Sequence, residues 1–455
     1  MTRSIRRRTF LGAAALAPAA ILARPVAAVD EPPIAIDSTG PSFPLINCMA
    51  FGGINYGDPT FVANVAKHDL AILGVYVGWG NSAAVVNNIK AINPNILLGN
   101  YTSLNEVNVT GADADGADAD LIAKVTSERG PNGVGDWWAY DHRGAHVSSY
   151  PGNDTVNYTE LTTPDANGYH WPEWLARRDS SARGAIGDGA AWDMWYCDNN
   201  FYRPRVTADW NRDGVDEPPG ATSASTSDAW SRNGELAYYN TAKSLRPNMY
   251  IVANSDSDLS GVAYPPNYGP FPEYKNVLHG AMLEALIGET WSVESWVGFS
   301  SMMSWYHGVF TNLLAPKIVI FNLHHNVSTD YQTLRYALSA CLMDNGYFQS
   351  NNSSGYTTQF MWYDEYDCAG TKSSKWLGKA IDPPQTVPWS NGVYMRRFTG
   401  GLALCNPKGN GSQIVTPPSG YTRFSGTQAP TINNGAAVTG TVTLADRDGL
   451  LLVKT

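Results

Sequence analysis

Short β-branched and aromatic runs, poor in charge, recur eight times along this chain, with helix-like segments between them. The runs are Leu45–Phe51, Leu70–Val77, Ile96–Tyr101, Ala191–Asp198, Met249–Asn254, Val277–Glu284, Lys317–Leu323 and Gly346–Gln349. Asp58–His68, Ala83–Ile92, Ser227–Ser244, Trp296–Leu314 and Asp330–Leu342 read as helices. Ala71-Ile72-Leu73-Gly74-Val75-Tyr76-Val77 and Ile318-Val319-Ile320-Phe321 offer no polar face. Such strands must be covered on both sides, as in a parallel sheet wrapped by helices. Eight units over about 310 residues predict an α/β chain folded as a (β/α)8 barrel. A doubly wound open sheet would place a glycine-rich phosphate turn after its first strand. Phe51-Gly52-Gly53-Ile54-Asn55-Tyr56-Gly57 has the glycines without that spacing.

The ends of the chain read differently. Residues 1–28 carry Arg6-Arg7-Arg8-Thr9-Phe10-Leu11, an apolar run from Leu11 to Ala23 and small residues at Val26-Ala27-Ala28. This is the pattern of an export signal, and the paired arginines resemble a twin-arginine signal. The apolar run is shorter than the roughly 20 residues a membrane span needs. The expectation is a protein placed in the periplasm or secreted, with no membrane attachment after cleavage. From about residue 386, Val393–Phe398 and Gly401–Asn406 flank a Thr399-Gly400 turn and predict a hairpin, with further strands at Thr439–Leu444 and Leu450–Val453. The expected organisation is a signal (1–28), a barrel (29–385) with a long insertion at about 102–190, and a small C-terminal β-sandwich domain (386–455). The insertion carries Trp137, Trp138, Trp171 and Trp174. It is too long for an ordinary loop and is expected to form an active-site wall or a subdomain.

Charge narrows the partners. The 31 basic and 41 acidic side chains give a net charge of −10. Removing residues 1–28 takes away five arginines and no acid, leaving about −15. This speaks against nucleic acid, which calls for a basic patch, and favours a neutral over a polyanionic substrate. Five widely spaced cysteines form no zinc pattern and read mostly as buried small hydrophobes, with room for one disulfide.

In a barrel of this type function gathers at the C-terminal ends of the strands. The fourth strand ends in Asp198, followed by Asn199 and Asn200, and the sixth ends in Glu284. A carboxylate closing an apolar run is costly to desolvate unless it is paired or hydrogen-bonded. Two that converge on one cleft are the minimum machinery of glycoside hydrolysis. Taken singly, each could equally cap a helix or pair in a loop. Asn254 ends the strand between them. Asp193 falls on the opposite face and should bind structural partners, and Asp344 reads as a turn former.

Asp193-Met194-Trp195-Tyr196-Cys197-Asp198-Asn199 resembles the "D-G-hydrophobic-x-x-D-N" strand of glycoside-hydrolase barrels, with Met194 in place of the usual Gly. Val252-Ala253-Asn254-Ser255 and Gly280-Ala281-Met282-Leu283-Glu284 are similar to the fifth and sixth strands of those families. Gly401–Pro407 and Asp446–Leu452 resemble their C-terminal β-domain. The motifs, in order over roughly residues 45–455, resemble hypothetical glycosyl hydrolase family 15, and more distantly the α-galactosidase clan. That resemblance implies a retaining glycosidase acting on a poly- or oligosaccharide, with Asp198 as nucleophile and Glu284 as acid/base. The competing expectation is a catalytically silent carbohydrate-binding barrel.

Sugars present apolar faces to aromatic rings and hydroxyls to polar side chains. Trp79, Tyr101, Tyr202 and Trp291, beyond predicted strand ends, are the expected stacking residues. Asn199, Asn254, Asn322 and His324 are the expected hydroxyl ligands. Asp256 and Asp258 are further candidates. No cofactor is expected for catalysis. Asp209-Trp210-Asn211-Arg212-Asp213-Gly214-Val215-Asp216-Glu217 resembles the start of a calcium loop. Asp209, Asn211, Asp213 and Asp216 are its expected ligands; position 12 is Gly220, so the bidentate Glu of such loops is missing and Asp216 or Glu217 would have to substitute for it. A metal-free Asx turn is the alternative.

Overall fold

The computed structural model describes residues 40–51, 54–75, 82–110, 119–200, 203–219, 226–254, 274–288, 292–325, 327–351 and 360–455. Eight strands close into a barrel. In chain order they are β1 (Leu45–Ala50), β2 (Leu70–Leu73), β3 (Leu97–Ser103), β4 (Met194–Asp198), β5 (Tyr250–Ala253), β6 (Gly280–Gly288), β7 (Ile318–His324) and β8 (Tyr347–Asn351). Each pairs in parallel with the next, and β8 pairs with β1. The open-sheet alternative is thereby excluded, and every strand lies where the apolar runs predict it.

Period-2 alternation divides each strand. Met49, Leu70, Ile72, Met194, Tyr196, Val252, Met282, Ile318 and Ile320 form one cluster, the packed interior of the barrel. The opposite faces of the strands join a much larger cluster with the helices, including Trp195, Ile251, Ala281, Leu283, Val319 and Phe321. The interior is closely filled at Gly99: a Cβ there would lie 2.7 Å from Cε of Met194 and 3.3 Å from its Cβ and Cγ, so a larger residue requires the Met194 side chain to shift.

Two departures from expectation have local causes. The single helix expected over Trp296–Leu314 is two, Val293–Val297 and Phe299–Val309, broken at Gly298 with φ +79°. Strand β6 does not stop at Glu284. Its register against β7 runs in step to Leu283–Phe321 and resumes at Ile287–Leu323. Glu284, Ala285 and Leu286 therefore oppose Asn322 alone, a bulge, and Ala285 takes φ +48° within it.

The insertion after β3 forms a small antiparallel pair, Glu106–Asn108 with Asn153–Thr155, and the helices Ala119–Ser127 and Trp171–Asp179. Trp137, Trp138 and Trp171 are buried within it, and Trp174 stacks on Trp171 at 5.5 Å. After residue 390 come the antiparallel strands Tyr394–Arg397, Gly401–Asn406, Tyr421–Thr422 and Asp448–Lys454, and the pair Gln413–Val415 and Val442–Leu444. Arg335, on the helix Tyr331–Cys341, clamps this sheet. Its guanidinium lies 3.0 Å from the Asp448 carboxylate and donates to the Gly449 carbonyl at 3.3 Å. All five cysteines are buried free thiols, so the disulfide the sequence left room for is not formed.

Candidate active site

The side chains that share the interior phase of their strands come together at the C-terminal end of the barrel. Asp198 stands two residues beyond Tyr196 on β4, Asn254 two beyond Val252 at the end of β5, and Glu284 two beyond Met282 on β6. Tyr101 of β3 pairs in register with Tyr196.

Their contacts are specific. The Tyr101 hydroxyl donates to Asp198 Oδ2 at 2.7 Å, and the Tyr196 hydroxyl lies 3.3 Å from Oδ1. Asn254 Nδ2 donates to Asp198 Oδ1 and to Glu284 Oε2, each at 3.0 Å. Those two oxygens can therefore be no more than about 6 Å apart, and the roughly 120° spread of amide hydrogens sets them near 5 Å. Burial first, and the Glu284 charge second, push Asp198 up to about 6, against the hydrogen bonds from Tyr101 and Asn254. Asp198 therefore keeps its proton up to about that pH.

A cavity of about 360 Å3 opens onto these groups. The barrel supplies Met49, Phe51, Tyr101, Tyr196, Asp198 and Glu284, and the insertion supplies Glu106, Tyr150 and Asn153. The insertion is thus one wall of the site, as expected of its length. Asn199 ties it down. With φ +56°, a backbone region Asn tolerates better than most residues, its Nδ2 reaches Glu106 Oε1 at 2.9 Å. Ser149 also donates to Glu106, and Arg205 stacks on Tyr150 at 4.4 Å and donates to its hydroxyl. Burial is the main cause that raises Glu106, with Asp198 adding to it. Three carboxylates and no Lys or Arg line this cavity among the described residues, which suits an uncharged sugar better than a polyanion.

Of the expected ligands, Tyr101 and Asn199 line the cavity, while Asn254 lies behind it, 2 % exposed. Asn322 is fully buried, and its Oδ1 accepts from the Ala285 amide at 2.9 Å, inside the bulge that carries Glu284. It holds a backbone turn rather than facing the cavity, because the bulge leaves that N–H without a ladder partner. His324 pairs with Gly288 at the end of β7 and is not among the cavity's lining residues. Trp79, Tyr202, Asp256, Asp258 and Trp291 lie outside the described residues. The rings at the cavity are Phe51, Tyr101, Tyr150 and Tyr196, and no Trp lines it among the described residues. Trp137, Trp171, Trp195 and Trp210 are instead fully buried core. Glu106 and Tyr150 escape sequence reasoning, since nothing local ties them to Asp198. Tyr196 was within reach, being in phase with Asp198.

Asp193 lies at the foot of β4, where it pairs with Lys90 at 2.7 Å and accepts from the Leu98 amide. Asp344 accepts from His307 and from the Asn345 amide. In the expected calcium loop, Asp209, Asp213 and Glu217 bring one carboxylate oxygen each within 4.8 Å of one another. Asn211 hydrogen-bonds to Asp213, while Asp216 turns away and accepts from the amide and ring of His142, each at 2.6 Å.

A closed parallel barrel with two tethered carboxylates at the C-terminal end of its strands defines a (β/α)8 enzyme site equipped for acid/base and nucleophilic chemistry. The family model of hypothetical glycosyl hydrolase family 15 matches residues 90–402, and the chain belongs to that family. It is a glycoside hydrolase, and its substrate is a carbohydrate. Solved structures with a similar fold include the glycoside hydrolase domain of PelA from Pseudomonas aeruginosa, at 14% identity and TM-score 0.38, covering 67% of this chain and 94% of that one. Eubacterium rectale Amy13B follows at 8% and 0.47, covering 91% and 97%. The GH36 α-galactosidase AgaA from Geobacillus stearothermophilus matches at 10% and 0.39, covering 92% and 56%. No curated protein matches the sequence.

Proposed function

We propose that this is an exported, retaining glycoside hydrolase acting on a poly- or oligosaccharide, with Asp198 as nucleophile and Glu284 as acid/base. The observation that carries this reading is the shared Asn254 donor. It keeps the two carboxylates within about 6 Å, near the 5–5.5 Å of retaining pairs and short of the 6.5–9.5 Å that inverting enzymes leave for a water. Hydrogen bonds from Tyr101, Tyr196 and Asn254 favour the negative charge on Asp198, as a nucleophile requires. The upward shift of Asp198 favours the reverse assignment, and one experiment separates the two. Activated 2-deoxy-2-fluoro glycosides trap the glycosyl-enzyme, and peptide mass spectrometry locates the adduct. Label on Asp198 supports the first assignment and label on Glu284 the reverse. Inverted product by NMR, or Asp198→Asn and Glu284→Gln variants as active as the parent, would sink both.

Export rests on residues 1–28, outside the described residues. Five buried free thiols suit a protein that folds in a reducing compartment before transport, as the twin-arginine route requires. Replacing Arg7 and Arg8 by Lys should leave the chain in the cytoplasmic fraction. We also propose that Asp209, Asp213 and Glu217 hold a structural calcium ion. The donors are all hard oxygens, and their mutual repulsion helps to raise Glu217. Calorimetric titration with calcium should show one site, absent in Asp213→Ala. No heat in the parent chain refutes it.

A further inference from the structure

We propose that Asn254 is the positioning residue of the carboxylate pair, one amide nitrogen that serves both groups and follows the negative charge as it passes between them. The proposal rests on the reading of Asp198 and Glu284 as nucleophile and acid/base.

Asn254 is built to stay in place. Its backbone amide donates to the Cys197 carbonyl at 2.9 Å, one residue before Asp198, so β4 and β5 are locked side by side there. The side chain is 2 % exposed and does not line the cavity, which removes it from direct contact with a sugar there. Its Oδ1 is buried with no hydrogen-bond partner, so the amide is oriented by what Nδ2 gains. The reversed amide would press a carbonyl oxygen against two carboxylates.

The reaction moves charge across this nitrogen. In the first step an Asp198 oxygen bonds to the anomeric carbon, the bond to the leaving oxygen breaks, and the Glu284 proton goes to that oxygen. Asp198 is then a neutral ester and Glu284 a carboxylate. In the second step water gives a proton to Glu284 and its oxygen bonds to the anomeric carbon, while the electron pair of the breaking ester returns to Asp198. Negative charge goes from Asp198 to Glu284 and back. A donor already 3.0 Å from both oxygens needs no reorganisation in either step.

The titratable groups facing Asp198 are Tyr101 from β3, Tyr196 from β4, Glu284 from β6, and Glu106 of the insertion with Arg205 beyond it, while Cys197 lies on the opposite face of β4. Replacing Asn254 leaves every one of these charges in place and removes one neutral donor. Asn254→Ala is tested on the intact, unliganded chain by 13C-carboxyl NMR titration, with Asp198 assigned from the Asp198→Asn spectrum. The Asp198 midpoint should rise by about one pH unit. On a 4-nitrophenyl glycoside turned over by the parent, kcat should fall at least tenfold with KM within threefold. Asn254→Ser serves if the alanine variant does not fold. An unmoved midpoint, or a raised KM with unchanged kcat, overturns the role of Asn254. Full activity of Asp198→Asn instead overturns the reading of the pair on which it rests.

Discussion

Replacing Glu284 by Gln removes the neighbouring charge from Asp198 while keeping the shape of the side chain. The size of the effect follows from the Asn254 bridge. Two unit charges at the 6 Å ceiling interact by about 2.8 kcal/mol at an effective dielectric constant of 20, equivalent to about two pH units. Burial, the larger cause of the upward shift, remains in the variant, and the hydrogen bonds from Tyr101 and Asn254 remain with it. Asp198 should therefore titrate near about 4 in Glu284→Gln, against about 6 in the parent chain. Carboxyl NMR titration of the unliganded protein reads this directly and needs no substrate. A midpoint that stays at 6, or rises, would refute the reasoning, because the two carboxylates would then not feel each other across the amide.

Asp198, pushed up to about 6, must lose its proton to act as nucleophile, so kcat/KM should rise about tenfold per pH unit on the acid side up to that point; a flat profile from about pH 4 to 6 contradicts this. Asn322→Ala strands the Ala285 amide inside the bulge, which should cost about 1–3 kcal/mol in denaturant unfolding and lower kcat several-fold by loosening Glu284. Arg335→Met leaves Asp448 buried without its partner. Burial holds the folded-state pKa of that carboxyl above its unfolded value, so the loss should grow as pH rises. Its ceiling, the cost of protonating the carboxyl, is about 4 kcal/mol at pH 7 and about 2 at pH 5, which urea unfolding at the two pH values measures.

The fold was legible because its signal is repeated. Eight apolar runs, each without a polar face, admit few arrangements, and the phase of Met194 and Tyr196 places Asp198 inside the barrel mouth. Asp198, Asn254 and Glu284 were legible for the same reason, being the polar residues that end or interrupt those runs. The bulge was not. Ala285 enters a left-handed conformation that its residue type does not announce, so Asn322 read as a sugar ligand although its partner is a backbone amide. Glu106 was beyond reach because it is 92 positions from Asp198 in sequence and meets it only once the insertion has folded back. The tryptophans of the insertion could not be sorted by sequence, since an aromatic-rich composition cannot say which rings are needed to fill a core, and Trp137, Trp138 and Trp171 are buried.

The bulge on β6 also has an evolutionary consequence. Three residues, Glu284 to Leu286, stand against one asparagine on the next strand, so the aim of a reactive side chain is encoded partly on its neighbour. Descendants of this chain are not free to vary those two places separately. A change at 322 that abolishes the acceptor should survive only alongside a shortened β6, and insertions in β6 only where 322 can still satisfy the freed amide. Positions 285 and 322 should accordingly show epistasis in a combinatorial library selected for turnover, although neither side chain lines the cavity.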